Sequence, residues 1–94
     1  MDAKIHYPDG HHWWALDFFD LTEEVADKIH ALIRSTKNEF SPLESRGFTL
    51  LRAAQPWIQG DQAGWIRVEF WSDNESILLD SMMYLAGEVG VEIK

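Results

Sequence analysis

The chain contains no cysteine. That absence excludes a disulfide framework, a thiol nucleophile and any cysteine-held metal site, and it makes a reducing cytosol the expected setting. No apolar run approaches bilayer-spanning length, and the first residues lack the apolar core of a secretion signal. A cytoplasmic protein with no membrane segment is therefore expected. Basic residues are scarce. Eight Lys and Arg stand against 16 Asp and Glu, a formal net charge of -8. A phosphate-backbone binder needs a basic footprint, so nucleic acid is not an expected partner, whereas a basic protein surface is. There is no glycine-rich phosphate loop, no serine-nucleophile constellation and no zinc-type spacing. The reading is non-enzymatic, with no cofactor and no metal.

What is present is a globular composition. Ninety-four residues with 46% hydrophobic content suit one domain, residues 1–94, with a core of its own. The most informative stretch is Gly64-Trp-Ile-Arg-Val-Glu-Phe-Trp-Ser72. Ile66, Val68 and Phe70 alternate with Trp65, Arg67, Glu69 and Trp71, and a period of two in β-branched and aromatic residues predicts a strand. One side is wholly apolar and belongs to a core. The other side is two charges bracketed by two tryptophans.

Around it the chain divides as follows. Ala3 to Tyr7 predicts a short strand, and Pro8-Asp9-Gly10 a turn. The turn leaves the register open: a three-residue loop puts Ile5 and Tyr7 on the face of Trp13, a four-residue loop on that of Trp14. His11 to Phe19 predicts a long strand. Trp14, Leu16 and Phe18 form its apolar set, and Trp13, Ala15, Asp17 and Phe19 its mixed set. A helix is expected from about Thr22 to Ser35, with Thr22 as N-cap and an apolar stripe of Val25, Ile29, Leu32 and Ile33. Thr36 to Arg46 reads as a connection pinned by Phe40 and Leu43. Gly47 to Ala54 reads as a third strand, with Thr49, Leu51 and Ala53 inward, and Gln55 to Ala63 as a long loop. A second helix is expected from about Glu75 to Ala86, capped by Asp73 or Asn74 and stopped by Gly87. Its apolar arc, which includes Leu79 and Met83, is wider than one sheet face requires. Val91 to Ile93 reads as a short edge strand.

Shifted by 52 positions, Trp13–Phe19 lies over Trp65–Trp71, Thr22-Glu23 over Asn74-Glu75 and Val25 over Ile77. Each half then reads strand, strand, helix. The expected fold is an α+β two-layer sandwich: a mainly antiparallel sheet of four or five strands with two helices on one face. Its order is ββαββα, or a ferredoxin-like βαββαβ if the C-terminal segment takes the sheet edge. The two long strands are expected as parallel neighbours through a right-handed crossover.

Several groups on this layout carry chemistry. Asp17 and Glu69 would share a face about 5–7 Å apart by strand spacing. Paired carboxylates can do acid–base work, but without a nucleophile or metal beside them a surface charge ladder is the expected reading. His6, His11 and His12 flank the turn, yet neighbouring strand residues point to opposite faces, so a shared ion is not expected. The stretch 64–71 resembles the sheet aromatics of RNA-recognition modules at Gly64, Trp65, Val68 and Phe70. It departs from them at Ala63, Ile66 and Arg67, and the acidic balance opposes RNA. The expected site is a partner-binding face of Trp13, Asp17, Phe19, Trp65, Arg67, Glu69 and Trp71. The alternative reading of that face is a small-ligand site or minor enzyme using Asp17, Glu69 and His12. The expected role is a small acidic interaction or regulatory module, of inhibitor, immunity or accessory type. A homodimer is expected through the sheet face or around Leu79 and Met83.

Overall fold

Two strands form the centre, β2 (Trp13–Phe19) and β4 (Trp65–Trp71). Their alternation works as read: Trp14, Leu16 and Phe18 pair with Phe70, Val68 and Ile66, and all six are buried on the helix side. Each such apolar side chain contributes about 1.5–3 kcal/mol relative to an exposed one. The structure is a computed structural model that describes residues 1–9, 12–41 and 43–94, without the side chains of Pro8 and Asp9. Among the described residues the remaining elements are β1 (Asp2–Asp9), α1 (Glu23–Ser35), α2 (Arg46–Ala53), β3 (Trp57–Gln62), α3 (Glu75–Val89) and β5 (Glu92–Ile93). The sheet order is β3-β4-β2-β1-β5. Four strands are antiparallel, and β5 adds in parallel to the start of β1. Helices α1 and α3 bury Ile29, Leu32, Leu78, Met82 and Leu85 in the same core, which makes an α+β two-layer sandwich.

The two long strands are neighbours, but antiparallel rather than parallel. The crossover from β2 does not return beside it. It leads through α1 and α2 to β3, and the β3–β4 hairpin then turns β4 back against β2. The two halves, β1-β2-α1 and β3-β4-α3, thus meet through their second strands, which gives the order β3-β4-β2-β1 an approximate two-fold relation. β1 and the C-terminal segment both find places, β1 beside β2 and β5 at the edge outside β1. Ile5 pairs with Leu16, and the Tyr7 ring meets Trp14 edge-on at 4.7 Å, so the hairpin takes the Trp14 register. A bulge follows His6, and Gly10 of the predicted turn lies outside the described residues. Lys94 bonds Asp2 at 2.9 Å and closes the β5 edge. This contact lowers the Asp2 pKa and raises that of Lys94.

Thr22 caps α1 as read, accepting a bond from the Val25 N–H at 3.3 Å. Residues 46–53 are a helix, not a strand. Ser45 accepts a bond from the Phe48 N–H at 3.1 Å, and Phe48 and Leu51, three apart, are both buried while Thr49 and Ala53 are exposed. The adjacent pair Leu50-Leu51 fits a helical arc better than a period of two, and Leu, Arg and Ala are good helix formers. Helix α2 packs on α3, where the buried Ser81 hydroxyl donates to the Leu50 carbonyl at 2.9 Å. Phe40 and Leu43 do not pin their connection. Phe40 is 89% exposed and Leu43 is also exposed.

Helix α3 runs past Gly87 to Gly90, with Asn74 as its N-cap. Gly90 has φ 74, the Val91 N–H reaches the Ala86 carbonyl at 3.0 Å, and the Gly90 N–H reaches that of Gly87 at 3.3 Å. This is a Schellman cap. Gly90 wins over Gly87 because the residue after it, Val91, has an apolar side chain to bury against the last turn; it is 4% exposed.

Candidate functional site

The sheet face away from the helices is set by the same ladders. Across β3, β4, β2 and β1, one row reads Trp57, Glu69, Ala15, His6. The next reads Gly60, Arg67, Asp17, Lys4. Trp13 pairs with Trp71 at one end of the central strands, and the register brings Phe19 and Trp65 to the other. All seven residues expected on this face lie on it, with aromatics at both ends and charge in the middle.

The charged middle is built rather than loose. Arg67 donates from Nε and Nη2 to the two carboxylate oxygens of Asp17, at 2.6 and 2.8 Å. Asp17 is only 7% exposed despite facing away from the core. A two-pronged guanidinium–carboxylate pair is among the strongest hydrogen-bonded contacts available to side chains. The bonds to Asp17 raise the Arg67 pKa against the opposing effect of burial, and the charges of Asp17 and Glu69 act in the same direction. Arg67 also lies over the Trp65 ring, with Cζ 5.6 Å from its centroid, a cation–π distance.

The strand β3 replaces the expected loop 55–63. It extends the sheet by one strand beside β4. Trp57 joins the face and meets Trp13 edge-on, with ring centroids 4.8 Å apart. Trp57 and Gly60 are members of the face that the sequence reading missed. Gly60 is there because the Trp65 indole lies on it: a Cβ at position 60 would sit 2.6 Å from the ring. The variant Gly60→Val is therefore expected to displace Trp65 and to cost about 1 kcal/mol. Tryptophan emission and urea denaturation check this; an unchanged spectrum with unchanged stability contradicts the packing.

The polar groups of the ligand or enzyme reading are not brought together. Both Asp17 oxygens are taken by Arg67, so Asp17 and Glu69 are not a carboxylate couple; Glu69 lies opposite Ala15. His12 turns to Asp73 at 3.4 Å, beyond the strand end. Among the described residues no three His, Asp or Glu side chains gather as metal ligands, and His11 lies outside them. No helix among them is long and apolar enough to cross a membrane. Grooves lie at the rim of this face and on the helix side. One of about 440 Å³ runs between α3 and the β1–β5 edge, and two others flank Trp57 beside Lys37. No family model, curated protein or solved structure matches the chain.

Proposed function

We propose that this chain is a non-enzymatic interaction module that binds a basic protein partner through the open sheet face and thereby inhibits, protects or regulates it. The observation that carries the reading is the composition of that face. Trp65, Trp71 and Phe19 are half-buried and Trp13 is 38% exposed, around an ion pair already fixed in place. Tryptophan and arginine dominate the energetics of protein contacts, above all where they are held rigid. The net charge of -8 would steer a basic partner onto the face. We also propose that the module works in the cytosol and pairs with a second copy of itself.

The test is affinity capture from the native host with the wild-type chain and with Trp65→Ala plus Trp71→Ala. The wild type is expected to recover a basic partner whose yield falls with added salt, since screening shortens to about 10 Å at 0.1 M. The double variant is expected to lose it. Equal recovery of the same partners by both chains removes this face as the binding site.

A further inference from the structure

The sequence repeat and the sheet register together single out one position on the open face. Shifted by 52 residues, Trp13, Ala15 and Asp17 lie over Trp65, Arg67 and Glu69. β2 and β4 pair so that Asp17 stands opposite Arg67 and Ala15 opposite Glu69. The approximate two-fold relation of the sheet therefore exchanges the two couples. Glu69 takes the place of Asp17, Trp13 that of Trp65, and Ala15 that of Arg67. The outer neighbours differ in the same sense. Asp17 has Lys4 opposite it on β1, whereas Glu69 has Trp57 opposite it on β3. One carboxylate thus stands between two cations, and the other between an alanine and an indole. Among the described residues no ion pair engages Glu69.

What Glu69 has instead is aromatic surface. β4 runs between β3 and β2, so the contact of the Trp57 and Trp13 rings, 4.8 Å apart at 85°, spans β4 in the interval between Glu69 and Trp71. Two rings set edge to face make a right-angled corner whose walls are both π faces. Its floor is closed, because Ala15 is fully buried, while Glu69 and Trp57 are half-buried and Trp13 is exposed. We infer that the partner sets an arginine into this corner, its guanidinium bonded to the Glu69 carboxylate and lying against the Trp13 ring. This rests on the proposed binding of a basic protein by the same face and names the group that anchors it. The chain builds the same assembly from its own residues at the other end of the face. There Arg67 bonds Asp17 twice and lies over the Trp65 ring. Arginine suits the corner better than lysine, because a planar guanidinium can give two parallel bonds to a carboxylate while it stacks on an indole. Attraction between a cation and a ring face also grows as water is excluded, which a bound partner would do.

Titration with the peptides hexa-arginine and hexa-lysine at low salt tests this, followed by tryptophan emission and by the indole N–H resonances. The chains are wild type, Glu69→Gln and Glu88→Gln. Glu88 is exposed on α3, so its variant makes the same charge change away from the face. Hexa-arginine is expected to shift the Trp13 and Trp57 indole resonances and to bind wild type about fivefold more tightly than hexa-lysine of equal charge. Glu69→Gln should weaken hexa-arginine about tenfold, and Glu88→Gln by no more than about twofold. Both variants should melt as wild type does, since neither carboxylate belongs to an ion pair of the fold. Equal weakening by the two variants, or equal binding of the two peptides, means general attraction to an acidic chain and overturns the inference. A partner captured from the native host by Glu69→Gln in full yield, but lost with Trp65→Ala plus Trp71→Ala, overturns the arginine anchor and leaves the face standing as the binding site. A partner captured in full yield by all of these chains overturns the face itself, and the anchor with it.

Discussion

The variant Val68→Asp is expected to lose its cooperative unfolding transition. Val68 is fully buried, pairs with Leu16 at the middle of the sheet and faces the helix layer. A carboxylate there would have no partner and would have to be desolvated or protonated, at a cost of about 4 kcal/mol or more. Domains of this size are stable by only about 5–15 kcal/mol, so most of the margin goes. Val68→Thr is the control. It keeps the branched shape and adds a hydroxyl, for about 1–3 kcal/mol. Far-ultraviolet dichroism and urea denaturation of the three chains check the pair. A Val68→Asp chain that melts as the wild type does would mean that the two faces of β4 have been exchanged.

The second large effect concerns the ion pair on the other face. Arg67→Met leaves the Asp17 carboxylate nearly buried without its two donors, and a loss of about 2–4 kcal/mol is expected. Asp17→Leu strands Arg67 less severely, because its side chain is 28% exposed and can turn toward water. Replacing both residues should return most of the stability, since an apolar couple of similar size often matches a buried ion pair. The measurement is a double-mutant cycle in urea. Additive losses, with nothing recovered in the double variant, would show that Asp17 and Arg67 act independently.

How much of this could be read from the sequence differs by element. The facing of β2 and β4 was open to view, because a strict period of two sorts Ile66, Val68 and Phe70 from Trp65, Arg67, Glu69 and Trp71 without reference to any neighbour. The makeup of the open face followed from the same alternation, which is why the seven residues expected there lie on one side of the sheet. Trp57 and Gly60 escaped because Pro56 and Gly60 make residues 55–63 resemble a loop. The available signal was Ala63-Gly64, two residues between the paired Gln62 and Trp65, a hairpin connection that implies a strand on its far side too. Residues 47–54 read as a strand when their facing is judged by keeping Arg52 out of the core, yet Ser45 followed by Phe48 and Leu51 marks a cap and a helical face. Strand direction was not available locally at all. Whether β4 runs with or against β2 depends on where the intervening hairpin places it, and neither strand's own residues record that. The length of α3 turned on which of two glycines better caps it, a matter decided by the burial of Val91 and not by either glycine.

The partner proposed for this chain is expected to meet the open sheet face and not the helix layer. Site-specific photo-crosslinking in the native host tests it most directly, with a photoreactive residue placed singly at position 65, 71 or 80. The first two lie on the aromatic face, and Asp80 is exposed on α3. Adducts with a basic protein from positions 65 and 71, absent at 80 and reduced by added salt, are the predicted result. Adducts with that protein from position 80 alone would contradict the account.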